Sequence, residues 1–102
     1  MSESTLLTII AKVVAKPGQA DVIKPELLKL LEPSRKDPGC LLYDCHQSNE
    51  DPCVFLFYET WASKPEWEAH METPHLKAYR AFTEANDVVA DFELLQMQKV
   101  EQ

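Results

Sequence analysis

Two stretches of this chain carry apolar side chains on both alternating faces, and that constrains its fold more than any other feature. Ser4 to Lys16 holds Leu6, Leu7, Ile9, Ile10, Val13 and Val14. Cys53 to Trp61 sets Phe55, Phe57, Glu59 and Trp61 against Val54, Leu56, Tyr58 and Thr60. Successive side chains of a strand point to opposite faces, so each stretch reads as a β-strand covered on both sides. Helical spacing occurs elsewhere: Ala20, Ile23, Leu27, Leu30 and Leu31 recur at three- and four-residue intervals, as on an amphipathic helix. The chain has only two glycines, in Pro17-Gly18 and Pro38-Gly39, and these tight-turn pairs bracket that helix. Pro25 either opens the helix in its first turn or kinks it, and the spacing alone leaves both open.

The rest of the chain alternates in the same way. Cys40 to Gln47, the loop Asn49-Glu50-Asp51-Pro52, and Cys53 to Trp61 form a hairpin. Ser63 and Glu66 make a capping box around Lys64-Pro65 and open a short helix, and Thr73-Pro74 opens a second one running to about Asn86. From about Val88 a last strand passes through Phe92, Leu94, Leu95, Met97 and Val100. The order β-α-β-β-α-β predicts an α+β, ferredoxin-like fold with a four-stranded antiparallel sheet. No repeat or linker interrupts it, so residues 1–102 are expected to form a single domain. Helices of this length cover one sheet face, so the other must meet a ligand, a second subunit or both; a homodimer through the sheet face is the economical solution.

Charge narrows the partners. Seventeen acids against ten Lys and Arg give a net charge of −7, which argues against nucleic acid and anionic membrane surfaces and favours a neutral aromatic ligand over an anionic one. No apolar run reaches the length of a membrane span, and the N-terminus lacks a basic n-region and a small-residue cleavage site, so it reads as the first strand rather than a leader. The odd count of cysteines, Cys40, Cys45 and Cys53, predicts reduced thiols and a cytoplasmic protein.

The densest chemistry lies in Tyr58-Glu59-Thr60-Trp61 followed by His70, His75 and Tyr79. His75 and Tyr79 share a helix face; His70 and His75 can converge only if the chain bends at Thr73-Pro74. As zinc ligands these histidines lack one-turn spacing and a third ligand nearby, so no metal is expected. Acid–base use suits them better, His70 reading as a solvated helix residue and His75 as the candidate beside the break. Trp61 reads as core on spacing alone. Glu59, on an apolar face, needs a partner such as Arg35, Arg80 or a histidine, or else a raised pKa. Tyr43 could donate a hydrogen bond inside a pocket. The chain contains no nucleophile elbow, P-loop or dinucleotide fingerprint.

Leu31-Glu32-Pro33-Ser34-Arg35-Lys36-Asp37-Pro38-Gly39-Cys40-Leu41-Leu42-Tyr43-Asp44, then Glu59-x-Trp61, His70 and Thr73-Pro74-His75, resemble the signature of the antibiotic biosynthesis monooxygenase domain family. The resemblance runs from Leu7 to about Val100. It implies a dimeric α+β barrel and oxygenation by O2 of a small quinol-like or polyketide-like aromatic, with no cofactor and no metal. In that reading Trp61 walls a cavity, His75 is base or orienter, Glu59 fixes its neighbours, and Tyr43 and Tyr79 are further candidates. Haem-degrading relatives use an asparagine on the first strand, and Leu6 to Val14 offers none. Two alternatives stand beside it: an isomerase or detoxifying enzyme for a small reactive carbonyl compound, and a non-catalytic dimeric module that binds a small hydrophobic molecule.

Overall fold

The computed structural model describes residues 6–100; Ser4 and Thr5 of the expected first strand lie outside them. The elements follow the order β1 (Leu7–Ala15), α1 (Ala20–Leu28), α2 (Leu31–Arg35), β2 (Cys40–Gln47), β3 (Val54–Trp61), α3 (Lys64–Met71), α4 (Pro74–Asn86) and β4 (Val89–Met97). The four strands form one sheet in the order β2-β3-β1-β4, and every neighbouring pair is antiparallel. This is the ferredoxin-like arrangement the alternation predicts, with each helical segment divided in two.

Both divisions have local causes. Pro25 lies inside α1, which ends at Leu28. Proline has no N–H to offer the carbonyl one turn back, so the helix is already short of a bond where it ends. The chain then tightens, Leu30 N–H donating to the Leu27 carbonyl at 3.1 Å, before α2 begins. Pro25 therefore sits within a helix that stops one turn later, rather than at its start. Between α3 and α4, Thr73 takes an extended conformation and Pro74 occupies the first turn of the next helix. The Thr73 hydroxyl donates to the His70 carbonyl at 2.7 Å, beside the Thr73 N–H that reaches the same oxygen at 3.1 Å. At the start of α3, Ser63 accepts from the Glu66 N–H at 3.4 Å and its hydroxyl donates to the Glu66 carboxylate at 3.0 Å. This is the expected cap, with the glutamate turned onto the serine side chain.

The sheet's two faces differ sharply in burial. Ile9, Ala11, Val13 and Ala15 of β1 are buried with Tyr43, Phe55, Phe57 and Trp61, and Ile23, Leu27, Leu30, Trp67 and Leu76 close the core from the helical side. On the opposite face Ile10, Val14, Val54 and Leu56 are half-buried, while Tyr58, Leu95 and Met97 are exposed. The second apolar face read from the strands is therefore present and lacks helical cover among the described residues. Among the described residues no helix is long and apolar enough to cross a membrane.

Candidate functional site

Between the helical face of the sheet and α3–α4 lies a cavity of about 260 Å³. Its wall is mostly apolar, with Ala11, Val13, Phe57, Leu76 and Phe92 on it; the polar side chains include Tyr43, Glu59, His70, Tyr79 and Arg80. Alternation in β3 brings Glu59 to this face beside Phe57, and the β2–β3 register places Tyr43 directly opposite Glu59. Tyr79 and Arg80 come from α4, and His70 from the end of α3.

Glu59 is 4% exposed. Its Oε1 accepts the Trp61 indole N–H at 2.8 Å, an interaction open to residues two apart on the same strand face. Burial lifts the Glu59 carboxyl to about 7 against the restraining Trp61 hydrogen bond. Neither arginine considered in the sequence pairs with it. Arg35 donates to the Tyr43 carbonyl and the Asp44 carboxylate, each at 3.0 Å, and Arg80 donates to the Met71 carbonyl at 2.8 Å. Burial also pushes the Tyr79 phenol up to about 12 and, with the nearby Glu59 charge, raises Tyr43. Both phenols stay protonated near neutrality and can act as donors.

The second polar group on the wall corrects the sequence reading. His70 is not a solvated helix residue but is 2% exposed, its ring 4.5 Å from that of Trp61 and 5.4 Å from that of Tyr43. His70 Nδ1 lies 2.7 Å from Asp37 Oδ2, and His75 Nε2 lies 2.9 Å from the same oxygen. The Thr73 hydroxyl settles one tautomer. Its single proton goes to the His70 carbonyl, so at 3.1 Å from His75 Nε2 it can only accept, and that nitrogen carries hydrogen. Asp37 therefore accepts from both imidazoles. His70 donates through Nδ1, leaving the Nε2 lone pair of a cavity-lining ring without a protein donor among the described residues. Burial lowers the His70 pKa, opposed by Asp37, so the ring favours its neutral, proton-accepting form.

Two candidates stand one layer behind the wall. Trp61 is fully buried and holds Glu59, and His75 is part-buried and holds Asp37; neither lines the cavity, whereas Glu59, Tyr43 and Tyr79 do. Asp37 was not singled out in the sequence. It lies between α2 and the Pro38-Gly39 turn, 33 residues from His70 and 38 from His75, so no local spacing links them. The one available signal was a carboxylate placed immediately before a rigid turn.

Asp37 also supplies the third ligand type that the histidine spacing lacked. The three donor atoms lie within 4.8 Å of one another. Contacts of 2.7 and 2.9 Å are hydrogen-bond lengths, shorter than the ~3.3 Å between neighbouring ligands of a tetrahedral zinc with ~2.0 Å bonds. With the Thr73 contact, the three side chains form one hydrogen-bonded cluster.

The fold and cavity define an α+β domain with a mostly apolar cavity whose wall carries Glu59 and His70. The sequence profile of the Antibiotic biosynthesis monooxygenase family matches residues 6–81, and the chain belongs to that family. The probable quinol monooxygenase YgiN of Escherichia coli K12 is 29% identical over 101 residues, covering 89% of this chain and 97% of YgiN. The uncharacterised protein sll1783 of Synechocystis is 25% identical over 73 residues, which are 72% of this chain but only 50% of that longer protein. Among solved structures, PA3566 of Pseudomonas aeruginosa superposes with a TM-score of 0.90 at 34% identity, covering 99% of this chain and 100% of that one.

Proposed function

We propose that this protein is a cofactor-independent monooxygenase that oxidises a small quinol-like or polyketide-like aromatic with O2. The observation that carries the reading is an apolar cavity whose wall holds a neutral, Asp37-oriented His70 beside a carboxyl titrating near 7. An electron-rich phenol becomes a far better reductant once deprotonated, so a base in a dry cavity is the main requirement of such chemistry. His70 Nε2 takes the substrate proton, and Asp37, itself held by His75, stabilises the imidazolium that forms. The substrate anion passes one electron to O2, and the resulting radical and superoxide combine as a peroxide. Glu59, positioned by Trp61, donates a proton as the O–O bond breaks, and Tyr43 and Tyr79 donate hydrogen bonds to the developing oxyanion. For an anthrone, a ring CH2 becomes C=O and the second oxygen leaves as water. The substrate thus supplies all the electrons and nothing else needs reducing.

Incubation with menadiol and with an anthrone under labelled O2 tests this reading. The expected outcome is label in the anthrone product, O2-dependent turnover, and a loss of roughly a hundredfold or more in His70→Ala. Product formed equally without O2 would sink it and select the acid–base isomerase. The homodimer through the open sheet face belongs to the same proposal, since a second copy would cover Tyr58, Leu95 and Met97.

A further inference from the structure

The cavity wall carries a cation that the reaction just described does not use. Arg80 is half-buried on α4, and its Nη2 donates to the Met71 carbonyl at 2.8 Å. One of five guanidinium N–H groups is thereby spent, enough to fix the orientation of the plane and leave four donors. Among the described residues no ion pair engages Arg80, although the chain has 17 acids. Arg35 offers the contrast: half-exposed and paired to Asp44 at 3.0 Å. An anchored guanidinium against an apolar cavity, without a counter-charge, is costly unless a ligand supplies one. Glu59 is the other formally charged residue on the wall. Its carboxyl is held near 7 and spends one oxygen on Trp61, so it is a poor standing counter-ion.

We propose that Arg80 is a specificity residue that pairs with an ionised carboxylate on a small hydroxyaromatic bound in this cavity. The proposal rests on the monooxygenase reading only for the hydroxyl it assigns to the His70 end. A planar carboxylate matches the free edge of the guanidinium, whereas a phosphate dianion would want more donors than one partly used arginine offers. A cavity of about 260 Å³ lies below the usual range for drug-sized ligands and suits a compact fused-ring aromatic. The net charge of −7 is then a poor guide to the ligand, because the charge on the wall, not the sum over the surface, meets it.

The test measures affinity by titration calorimetry without O2, using 1-naphthol, 1-hydroxy-2-naphthoate and 1-naphthyl phosphate. The hydroxynaphthoate should bind about tenfold or more tighter than naphthol, as a charge-assisted pair in a partly dry site requires. Arg80→Gln should abolish that preference and Arg80→Lys should keep part of it. Lys77→Gln, which removes an exposed cation of the same helix, should keep all of it. Equal binding of naphthol and hydroxynaphthoate, a preference that survives Arg80→Gln, or an equal loss in Lys77→Gln would each overturn the proposal, as would tighter binding of the phosphate. Oxygen consumption, measured separately, divides the two ideas. A carboxylate preference without O2-dependent product overturns the monooxygenase and leaves Arg80 its role. Turnover with no such preference does the reverse.

Discussion

Glu59 shows how one residue can couple stability to chemistry. Its carboxyl titrates at about 7 in the folded chain against 4.5 as the ordinary value. Between those values the native state holds more proton than the unfolded state, so stability falls as pH rises through that window. The cost above pH 7 is at most about 3–4 kcal/mol, from ~1.4 kcal/mol for each tenfold change in proton affinity. Glu59→Gln keeps an acceptor for the Trp61 N–H and removes the charge. Its denaturation midpoint should gain on the wild type between pH 5 and pH 8, while turnover falls roughly a hundredfold. A parallel pH course for the two proteins would contradict the burial of this group. Asp37→Asn tests the other half of the site. Without the carboxylate the desolvation of His70 is unopposed, so the acid limb of kcat/KM should move to lower pH, and the plateau should drop by about a hundredfold or more.

At the scale of elements, the site depends on two junctions. The first is the Pro38-Gly39 turn, which delivers Asp37. Gly39 has φ of +83°, and a Cβ there would overlap the Glu66 side chain, lying 2.7 Å from its Cβ. Gly39→Ala should therefore destabilise by about 2 kcal/mol or more, read from urea denaturation, because it adds left-handed strain to a clash with the first turn of α3. The second is the Ser63 cap, which fixes where α3 starts and so where His70 ends. Ser63→Ala should cost about 1 kcal/mol by the same measurement. The Pro38-Gly39 turn and the Ser63 cap were legible in the sequence because they act through neighbours a few residues away. The break at Thr73-Pro74 was legible too. Its outcome, His70 and His75 converging on one oxygen, was not, since the oxygen belongs to a segment on the far side of two strands.

For the whole molecule, the uncovered sheet face carries the prediction. Tyr58, Leu95 and Met97 are exposed beside half-buried Ile10 and Leu56, an apolar surface larger than scattered single residues would make. Sedimentation should find a dimer at micromolar concentration, and Leu95→Arg should shift it toward monomer without lowering the helical content of the chain. A wild-type monomer under those conditions would exclude the sheet-to-sheet pairing.

Sequence by itself determined the strand and helix order, the two-sided strands, the placement of Glu59 on the face with Phe57 and Trp61, and the family. Those properties are periodic or local, so they survive in a one-dimensional reading. Only the tertiary structure decided which candidates face the cavity. It moved His70 from solvent to the wall, set Trp61 and His75 behind Glu59 and Asp37, and left Arg80 without a carboxylate partner among the described residues. The reason is physical: burial and hydrogen-bond partnership arise where distant segments pack, and the free energy that tunes an imidazole or a carboxyl comes from that packing, not from its neighbours in sequence.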